Sequence, residues 1–280
     1  MTPLDLTALL AAVSFFAGLL GSLVGIGGGI VLVPVMTLFF RIDIRYAIGA
    51  SIVSVIATSS GAAAAYVRER MTNLRVAMFL ELGTTAGALS GAFLAGMIQG
   101  RYLYLIFGAV LLYSAFAMLR RVRQRRHSRP PAAPSRIADA LALHGSYHDQ
   151  FSGQDVAYRV TNAPLGLALM YLAGIVSGLL GIGSGALKVP AMDLAMHLPI
   201  KVSTATSNFM IGVTAAASAG VYFARGDIDP FLAGPVCVGV VSGAFLGSKL
   251  LGRLNAAWIR LAFIGVLVWV SVQMLIKGVQ

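Results

Sequence analysis

Three ionisable residues, Glu81, Lys188 and Asp193, lie within segments that are otherwise apolar over the length of a membrane crossing. A charged side chain is costly inside a bilayer, so each of the three is a candidate for a functional role. Lys188 is predicted to contact an anion. Glu81 and Asp193 are predicted to couple an ion, and pairing with Lys188 is an alternative role for Glu81. A lysine that snorkels to the membrane surface and an acid that lies near that surface are the competing interpretations.

Two glycine clusters, GIGGG at 25–29 and GIGSG at 181–185, precede short hydrophobic segments that each contain a proline. Glycines at positions i, i+2 and i+4 do not share one helical face, so each cluster predicts an unwound turn followed by a helix that begins at Gly29 or Gly185. The start of a helix presents free N–H groups and the positive end of the helix dipole, which suits an anion. A tight turn at the membrane surface is the alternative interpretation.

Small polar side chains follow each cluster, namely Ser51 in the first half and the stretch KVSTATSN at 201–208 in the second. Hydroxyl and amide groups donate to an oxyanion, although in apolar spans they also form hydrogen bonds between helices. We therefore predict an anion site formed by the glycine clusters, their prolines, Lys188 and these polar groups. The predicted substrate-binding residues are Gly25, Gly27, Gly28, Gly29, Pro34, Ser51, Gly181, Gly183, Ser184, Gly185, Lys188, Pro190, Ser207 and Asn208.

The composition of the chain identifies the kind of protein that must position these residues. Of its 280 residues 58% are hydrophobic and 11% are charged, whereas soluble domains contain about 25% charged residues. Uncharged stretches such as 46–67 and 202–224 are long enough to cross a bilayer as helices. The two-residue alternation of a membrane β-barrel is absent. The first 40 residues lack Lys and Arg, so the N-terminal segment is predicted to be a retained helix and not a secretory signal.

The chain repeats itself at an offset of 156 residues, which aligns Gly18 with Gly174, Pro34 with Pro190 and Tyr66 with Tyr222. Each copy contains five hydrophobic segments, and the first two either cross fully or form a re-entrant hairpin. In both cases the number of crossings per copy is odd, so the copies are predicted to be inverted. The predicted fold is an all-α polytopic membrane protein of two inverted-topology repeats, with short Gly/Pro-containing helices meeting between the halves. The predicted units are 1–120, 121–160 and 161–280, and the predicted segments are 4–24, 28–40, 46–67, 76–98, 102–119, 163–180, 184–197, 202–224, 230–250 and 256–276.

The segment between the repeats is polar and rich in arginine from Arg120 to Arg136. A basic cluster at a membrane exit marks the cytoplasmic side and contacts anionic lipids. The loop RGDIDP at 225–230 and both termini then face outward. The basic run lacks interleaved aromatic residues and a folded reading module, which argues against nucleic acid as a partner. The stretch at 146–160 predicts two short strands around Ser152-Gly153.

The sequence gives no sign of catalysis. Neither cluster matches a phosphate-binding loop or a dinucleotide fingerprint, and paired catalytic residues are not visible. The three histidines of the linker match no metal-ligand spacing, and the single cysteine, Cys237, is predicted to be a packed thiol. We therefore predict a protein that is not an enzyme, with no catalytic residue, cofactor or resident metal.

The paired stretches GLLGSLVGIGGGIVLVP and GIVSGLLGIGSGALKVP, the tandem layout and the polar central loop resemble the TauE/SafE family of permeases, the sulfite exporter family. The resemblance covers nearly the whole chain. It implies secondary transport of sulfite, sulfonates or other small organic or sulfur-containing anions, coupled to an ion gradient. The second copy departs from the glycine pattern at Ser184 and carries Lys188 where the first copy has Leu32.

The expected function is therefore secondary transport of a small anion across a bacterial inner membrane by alternating access, with proton coupling as one form of the mechanism. A passive anion channel of the same fold is the first alternative. A non-transporting membrane scaffold that recruits a partner through its basic linker is the second. The expected partners are the anion and the bilayer, including anionic lipids at the linker, and a homodimer is compatible with the sequence.

Overall fold

The computed structural model describes residues 3–24, 28–68, 72–123, 136–149, 154–183, 185–250 and 256–280. The first half contains α1 (Pro3–Val24), α2 (Gly29–Leu38), α3 (Ile44–Arg68), α4 (Leu74–Met97) and α5 (Gly100–Arg123). The linker contains α6 (Arg136–Ala140), β1 (Gly145–Asp149) and β2 (Gln154–Tyr158). The second half contains α7 (Ala163–Leu180), α8 (Gly185–Ala195), α9 (Ile200–Ala224), α10 (Pro230–Leu250) and α11 (Ala256–Val279).

The helices confirm the predicted all-α membrane class. Within the described residues, five helices are long and apolar enough to cross a membrane, namely α1, α4, α5, α7 and α10. By contrast, α2 contains 10 residues and α8 contains 11. At about 1.5 Å per residue, each covers roughly half of the hydrocarbon core. Both short helices begin at buried glycines, Gly29 and Gly185.

Equivalent turns of the two halves have the same geometry. Arg41 and His197, which are 156 residues apart, both adopt the left-handed conformation, with φ of 54° and 56°. The residue after each donates its N–H to a methionine carbonyl of the preceding short helix, at 3.1 Å in the first half and 3.2 Å in the second. The equivalent residues Asn73 and Asp229 accept backbone hydrogen bonds at the starts of α4 and α10. The turns that follow α2 and α8 therefore share one backbone geometry.

The most extensive helix contacts join one half of the chain to the other. Helix α4 packs on α7, and its equivalent α10 packs on α1. Glycines line both contacts: a Cβ on Gly83 would lie 2.8 Å from the carbonyl oxygen of Leu167, and Gly87 and Gly91 lie against the carbonyls of Tyr171 and Ile175. Glycines four residues apart allow two helices to approach until their backbones touch. The glycine ladders therefore serve helix packing.

Equivalent helices also pack on each other, and they run in opposite directions. Where α3 packs on α9, Gly49 lies against Asp227, just beyond the end of α9, whereas Gly212 within α9 lies against Ser59. In the contact of α5 with α11, Gly278 lies against Leu105, and the hydroxyl of Ser271 donates to the carbonyl of Gly108 at 2.7 Å. Residue numbers rise along one helix as they fall along its partner, so each of these pairs is antiparallel.

The linker forms a small folded unit on one end of the bundle. Strands β1 and β2 pair in antiparallel register, which confirms the predicted hairpin, although its Ser152-Gly153 tip lies outside the described residues. The amide of Asn73, in the loop between α3 and α4, donates to the carbonyl of Leu143 at 2.9 Å and to the hydroxyl of Tyr158 at 2.8 Å. Burial raises the pKa of that tyrosine. These contacts fasten the linker to the turn that precedes α4, the helix that carries Glu81.

Candidate functional site

The glycine cluster of the second half breaks the chain between α7 and α8. Gly181 ends α7 in the left-handed conformation with φ of 64°, and Gly183 has φ of 72°. A side chain disfavours this conformation, which explains glycine at both positions. Helices α8 and α2 begin at Gly185 and Gly29, as predicted, and Gly28 precedes α2. Three predicted site residues lie outside the described residues, namely Gly25, Gly27 and Ser184.

The break of the second half lies against the start of α2. The hydroxyl of Ser51 donates to the carbonyl of Gly181 at 2.9 Å. A Cβ on Gly29 would lie 2.7 Å from that hydroxyl and 3.3 Å from the same carbonyl, and Gly183 lies against Val55 and Ile211. The structure therefore brings Gly29, Ser51, Gly181 and Gly183 together where α3 crosses α9, at the contact between the halves.

A buried chain of hydrogen bonds joins Lys188 to Glu81. Lys188 has no exposed surface, and its Nζ donates to the hydroxyl of Thr214 at 2.6 Å. That hydroxyl lies 2.7 Å from Oε1 of Glu81 and 2.8 Å from the carbonyl of Met210, and it donates to one of these at a time. Thr85 donates to the same carboxylate oxygen at 3.1 Å. One threonine hydroxyl therefore links two opposite charges that come from α8 and α4.

The burial of this chain decides between the interpretations of its charges. A snorkelling lysine keeps its amino group at the membrane surface, whereas the amino group of Lys188 is enclosed and bonded to Thr214, so that interpretation is wrong. Glu81 is 8% exposed, and its Oε2 is buried without a hydrogen-bond partner among the described residues. A charge buried in this way requires a compensating charge close by. Lys188 and Glu81 are placed to compensate each other through Thr214.

The other predicted residues differ in their burial. Pro34 and Pro190 are buried within α2 and α8. Ser207 is buried, and its hydroxyl has no hydrogen-bond partner in the described part of the chain, whereas Asn208 is half-buried on the same helix. Asp193 is half-buried on α8, and its ion-coupling role stays a prediction. Over the described residues, His, Cys, Asp and Glu side chains form no group of three that could hold a metal ion.

The sequence analysis missed Thr85 and, at the centre of the hydrogen-bonded chain, Thr214. Thr214 lies seven residues after Ser207 on α9, and seven residues make almost two full helical turns. The two side chains therefore share a face of the helix. Extending the hydroxyl stripe of KVSTATSN by two turns along that face would have found it.

A separate apolar groove lies on the outer side of α8, between α5 and α7. Its volume is about 530 Å³, and it is lined by Tyr113 and by aliphatic residues that include Leu172, Leu187, Pro190 and Ala191. Leu172 is exposed on the outer surface of α7. Apart from the hydroxyl of Tyr113 its lining is apolar, so the groove lacks the charged groups that favour an anion.

Two broken segments at equivalent positions of a duplicated membrane protein indicate a transporter site, and comparison with known proteins agrees. The family model described as Sulfite exporter TauE/SafE matches residues 10–274. The chain belongs to the TauE/SafE family. This family assignment covers both halves, so each glycine cluster and both ends of the Lys188–Glu81 chain lie within the matched region.

The relatives of this TauE/SafE protein are named as transporters. The chain is 26% identical over 278 residues to the probable membrane transporter protein YunE of Bacillus subtilis, covering 97% of this chain and 98% of that protein. It is 28% identical over 247 residues to a probable membrane transporter protein of Xylella fastidiosa, covering 88% and 83%. It is 23% identical over 278 residues to the probable membrane transporter protein MJ0441 of Methanocaldococcus jannaschii, covering 94% and 92%. No solved structure matches the chain at a significant level.

Family, relatives and helices together give the general function. The protein is a multi-pass membrane transporter of the TauE/SafE family, and its relatives are named as transporters and not as enzymes.

Proposed function

We propose that this TauE/SafE protein is a secondary transporter that moves a small anion across the inner membrane by alternating access. Sulfite, a sulfonate or another small organosulfur or organic anion is the proposed substrate, in keeping with the family description. The observation that carries the proposal is the contact of Ser51 and Gly29 with the carbonyl of Gly181. It joins the start of α2 to the glycine break that follows α7, where Gly29 and Gly181 are both buried.

In the proposed site, the backbone N–H groups at the starts of α2 and α8 donate hydrogen bonds to the anion. Free N–H groups of the first helical turn, with the positive end of the helix dipole, favour a negative ligand. Lys188 lies three residues beyond Gly185, about 4.5 Å along α8, and adds a full positive charge one turn from the helix start. Ser51, Ser207 and Asn208 supply hydroxyl and amide groups on the flanking helices.

Alternating access is proposed to arise from inverted repeats. The antiparallel packing of α3 on α9 and of α5 on α11 supports this arrangement, because equivalent helices of inverted halves run in opposite directions. Motion of one half against the other about the α3–α9 contact would expose the glycine breaks to each side of the membrane in turn. The pairs α1 with α10 and α4 with α7 would move as two rigid units.

Flux measurements in proteoliposomes test the proposed function. We expect radiolabelled sulfite or methanesulfonate to accumulate in vesicles against its gradient when an ion gradient is imposed, and protein-free vesicles to show no such accumulation. Downhill flux without accumulation under any gradient would indicate a passive channel. No flux across a panel of small anions would contradict transport and leave a scaffold role.

The proposed orientation places the linker in the cytoplasm and the α9–α10 loop and both termini outside. The arginines that follow α5 support it through the positive-inside tendency. In a Cys237→Ala background, single cysteines at Ser146 in the linker and at the exposed Gly226 in the α9–α10 loop are expected to react with an impermeant maleimide from opposite sides of the membrane. Labelling of both positions from one side would contradict the inverted arrangement.

We also propose that anionic lipids contact the cytoplasmic end of α5. Arg120 is exposed there, and its guanidinium lies 4.4 Å from the centre of the Phe116 ring. A guanidinium held over an exposed aromatic ring at a membrane exit is placed to bind a lipid phosphate.

A further inference from the structure

The hydrogen-bond geometry of the buried chain accommodates a positive charge at Lys188 and a negative charge at Glu81. A protonated lysine only donates hydrogen bonds. The Thr214 hydroxyl therefore accepts from Lys188 and donates its own O–H to another acceptor. Oε1 of Glu81 is within bonding distance of that hydroxyl and also accepts from Thr85. An ionised carboxylate is an acceptor only, and both contacts of Oε1 suit that form. With Lys188 protonated and Glu81 ionised, the chain is a cation and an anion that share one hydroxyl, with a net charge of zero.

The helices around this chain carry few other charged residues. On α4, Arg75 donates to the carbonyl of Ala142 in the linker. Asp193 lies five residues after Lys188 on α8, about 140° around the helix. Lys201 lies thirteen residues before Thr214 on α9, about 20 Å along it. The sequence places no charge within α7, and the charges of α3 and α5 lie at the ends of those helices. Glu81 is the acid whose carboxylate is hydrogen-bonded to the Thr214 hydroxyl, which accepts from Lys188.

Protonation of Glu81 would remove the charge that compensates Lys188. The oxygen available for a proton is Oε2, which is buried and has no hydrogen-bond partner among the described residues. A neutral carboxyl would leave the lysine as an unpaired buried cation, which is strongly unfavourable. One monoanion bound beside Lys188 restores neutrality. The site is neutral either with an ionised glutamate and no substrate, or with a protonated glutamate and one substrate charge.

We propose that the substrate anion and the Glu81 carboxylate compete as counter-ions of Lys188, so that one substrate monoanion enters the site together with one proton. This inference rests on the proposed transport function and names its coupling ion and stoichiometry. The proton goes to Oε2 of Glu81, and the anion goes to Nζ of Lys188 at the start of α8. Transport of a monoanion by this device is electroneutral, and the proton gradient drives it.

Thr214 is the positioning residue of this device. Its hydroxyl lies 2.7 Å from the carboxylate and 2.8 Å from the carbonyl of Met210. When Glu81 is ionised, the hydroxyl proton points to the carboxylate and links both charges. When Glu81 is protonated, the hydroxyl can turn to the Met210 carbonyl, which ends the link between Lys188 and Glu81. The threonine thereby makes the hydrogen-bonded link from Lys188 depend on whether Glu81 is protonated.

The first experiment measures coupling in wild-type proteoliposomes with radiolabelled methanesulfonate, which keeps one negative charge near neutral pH, and with sulfite as a second probe. We expect a pH gradient to drive accumulation and a membrane potential set by potassium and valinomycin to have no effect. Apparent affinity for methanesulfonate should fall about tenfold per unit rise in pH at high pH, as the exchange of one proton requires. Accumulation driven by the potential alone, or pH-independent affinity, would overturn the inference and leave transport itself intact. No movement of either anion would contradict the proposed function as well.

Variants separate the roles of the residues. Glu81→Gln imitates the protonated acid, so it should bind methanesulfonate with pH-independent affinity, exchange it across the membrane and lose accumulation driven by the pH gradient. Thr214→Val should weaken coupling, whereas Thr214→Ser should restore it. Thr58→Val is the matched control, because Thr58 occupies the equivalent position in the first half and bonds only to carbonyls of its own helix in the described structure. Retention of proton-driven accumulation in Glu81→Gln would overturn the inference.

A folding control keeps the experiment decisive. If Glu81→Gln alone does not fold, the double variant Glu81→Gln with Lys188→Gln removes both buried charges at once. It should purify as a monodisperse protein and should show neither anion binding nor anion-dependent proton uptake. Anion uptake that is still coupled to protons in this double variant would place the coupling group elsewhere and overturn the inference.

Discussion

Lys188→Met is expected to lower the free energy of unfolding by about 3–5 kcal/mol, because it leaves the Glu81 carboxylate buried without its counter-charge. The side chain of Lys188 is fully enclosed, so neither water nor lipid headgroups can replace the lost ammonium group without opening the structure. The same change should abolish anion uptake. The thermal unfolding midpoint of the purified protein in detergent measures the first effect, and the proteoliposome assay measures the second.

A double-mutant cycle shows whether the loss comes from the unpaired acid. Lys188→Met combined with Glu81→Gln should recover most of the stability, since the removal of both charges leaves only neutral groups around Thr214. Leu32→Met is the matched control, because Leu32 occupies the equivalent position in the first half and is 1% exposed. A change between these two residues that conserves volume costs less than about 1.5 kcal/mol. Equal losses in Lys188→Met and in the double variant would contradict the pairing of Lys188 with Glu81.

Sequence reasoning located the helices closely, because apolar segments of membrane length are separated by charged or proline-containing turns. The predicted segment at 163–180 coincides with α7, and the predicted start of α8 at Gly185 is the observed one. The glycine break was predictable for a local reason: alternate glycines cannot line one face of a helix. The resemblance of paired motifs likewise identified the family that the comparison gives.

The partners of each helix could not be read from the sequence. Both halves carry the same glycine ladder, so Gly87 and its equivalent Gly243 suit several apolar surfaces equally well. The structure pairs each ladder with the first helix of the opposite half. The link between Lys188 and Glu81 was an open alternative for the same reason. It depends on Thr214, a hydroxyl on a third helix whose position is set by the packing of α9 against α4 and α8.

Gly243→Ala is expected to destabilise the protein by about 1–3 kcal/mol, the usual effect of overpacking a close contact. A Cβ at this position would overlap the backbone carbonyl of Phe15, which cannot rotate away as a side chain can. Gly87→Ala should have a similar effect, because Gly87 occupies the equivalent position and lies against the carbonyl of Tyr171. Thermal unfolding midpoints in detergent and in lipid nanodiscs measure both.

Gly220→Ala provides the control with the opposite sign. A Cβ on Gly220 would meet nothing within 4 Å, so the substitution should stabilise α9 by about 0.5–1 kcal/mol through helix propensity alone. Gly87 and Gly243 belong to different helix pairs, so their double variant should lose close to the sum of the two single losses. Destabilisation by Gly220→Ala as large as that by Gly243→Ala would mean that the cost arises within the helix. If Gly220→Ala stabilises the protein while Gly243→Ala destabilises it, the loss of stability arises in the contact between α1 and α10. The same reasoning applies to Gly87→Ala in the contact of α4 with α7, which positions Glu81.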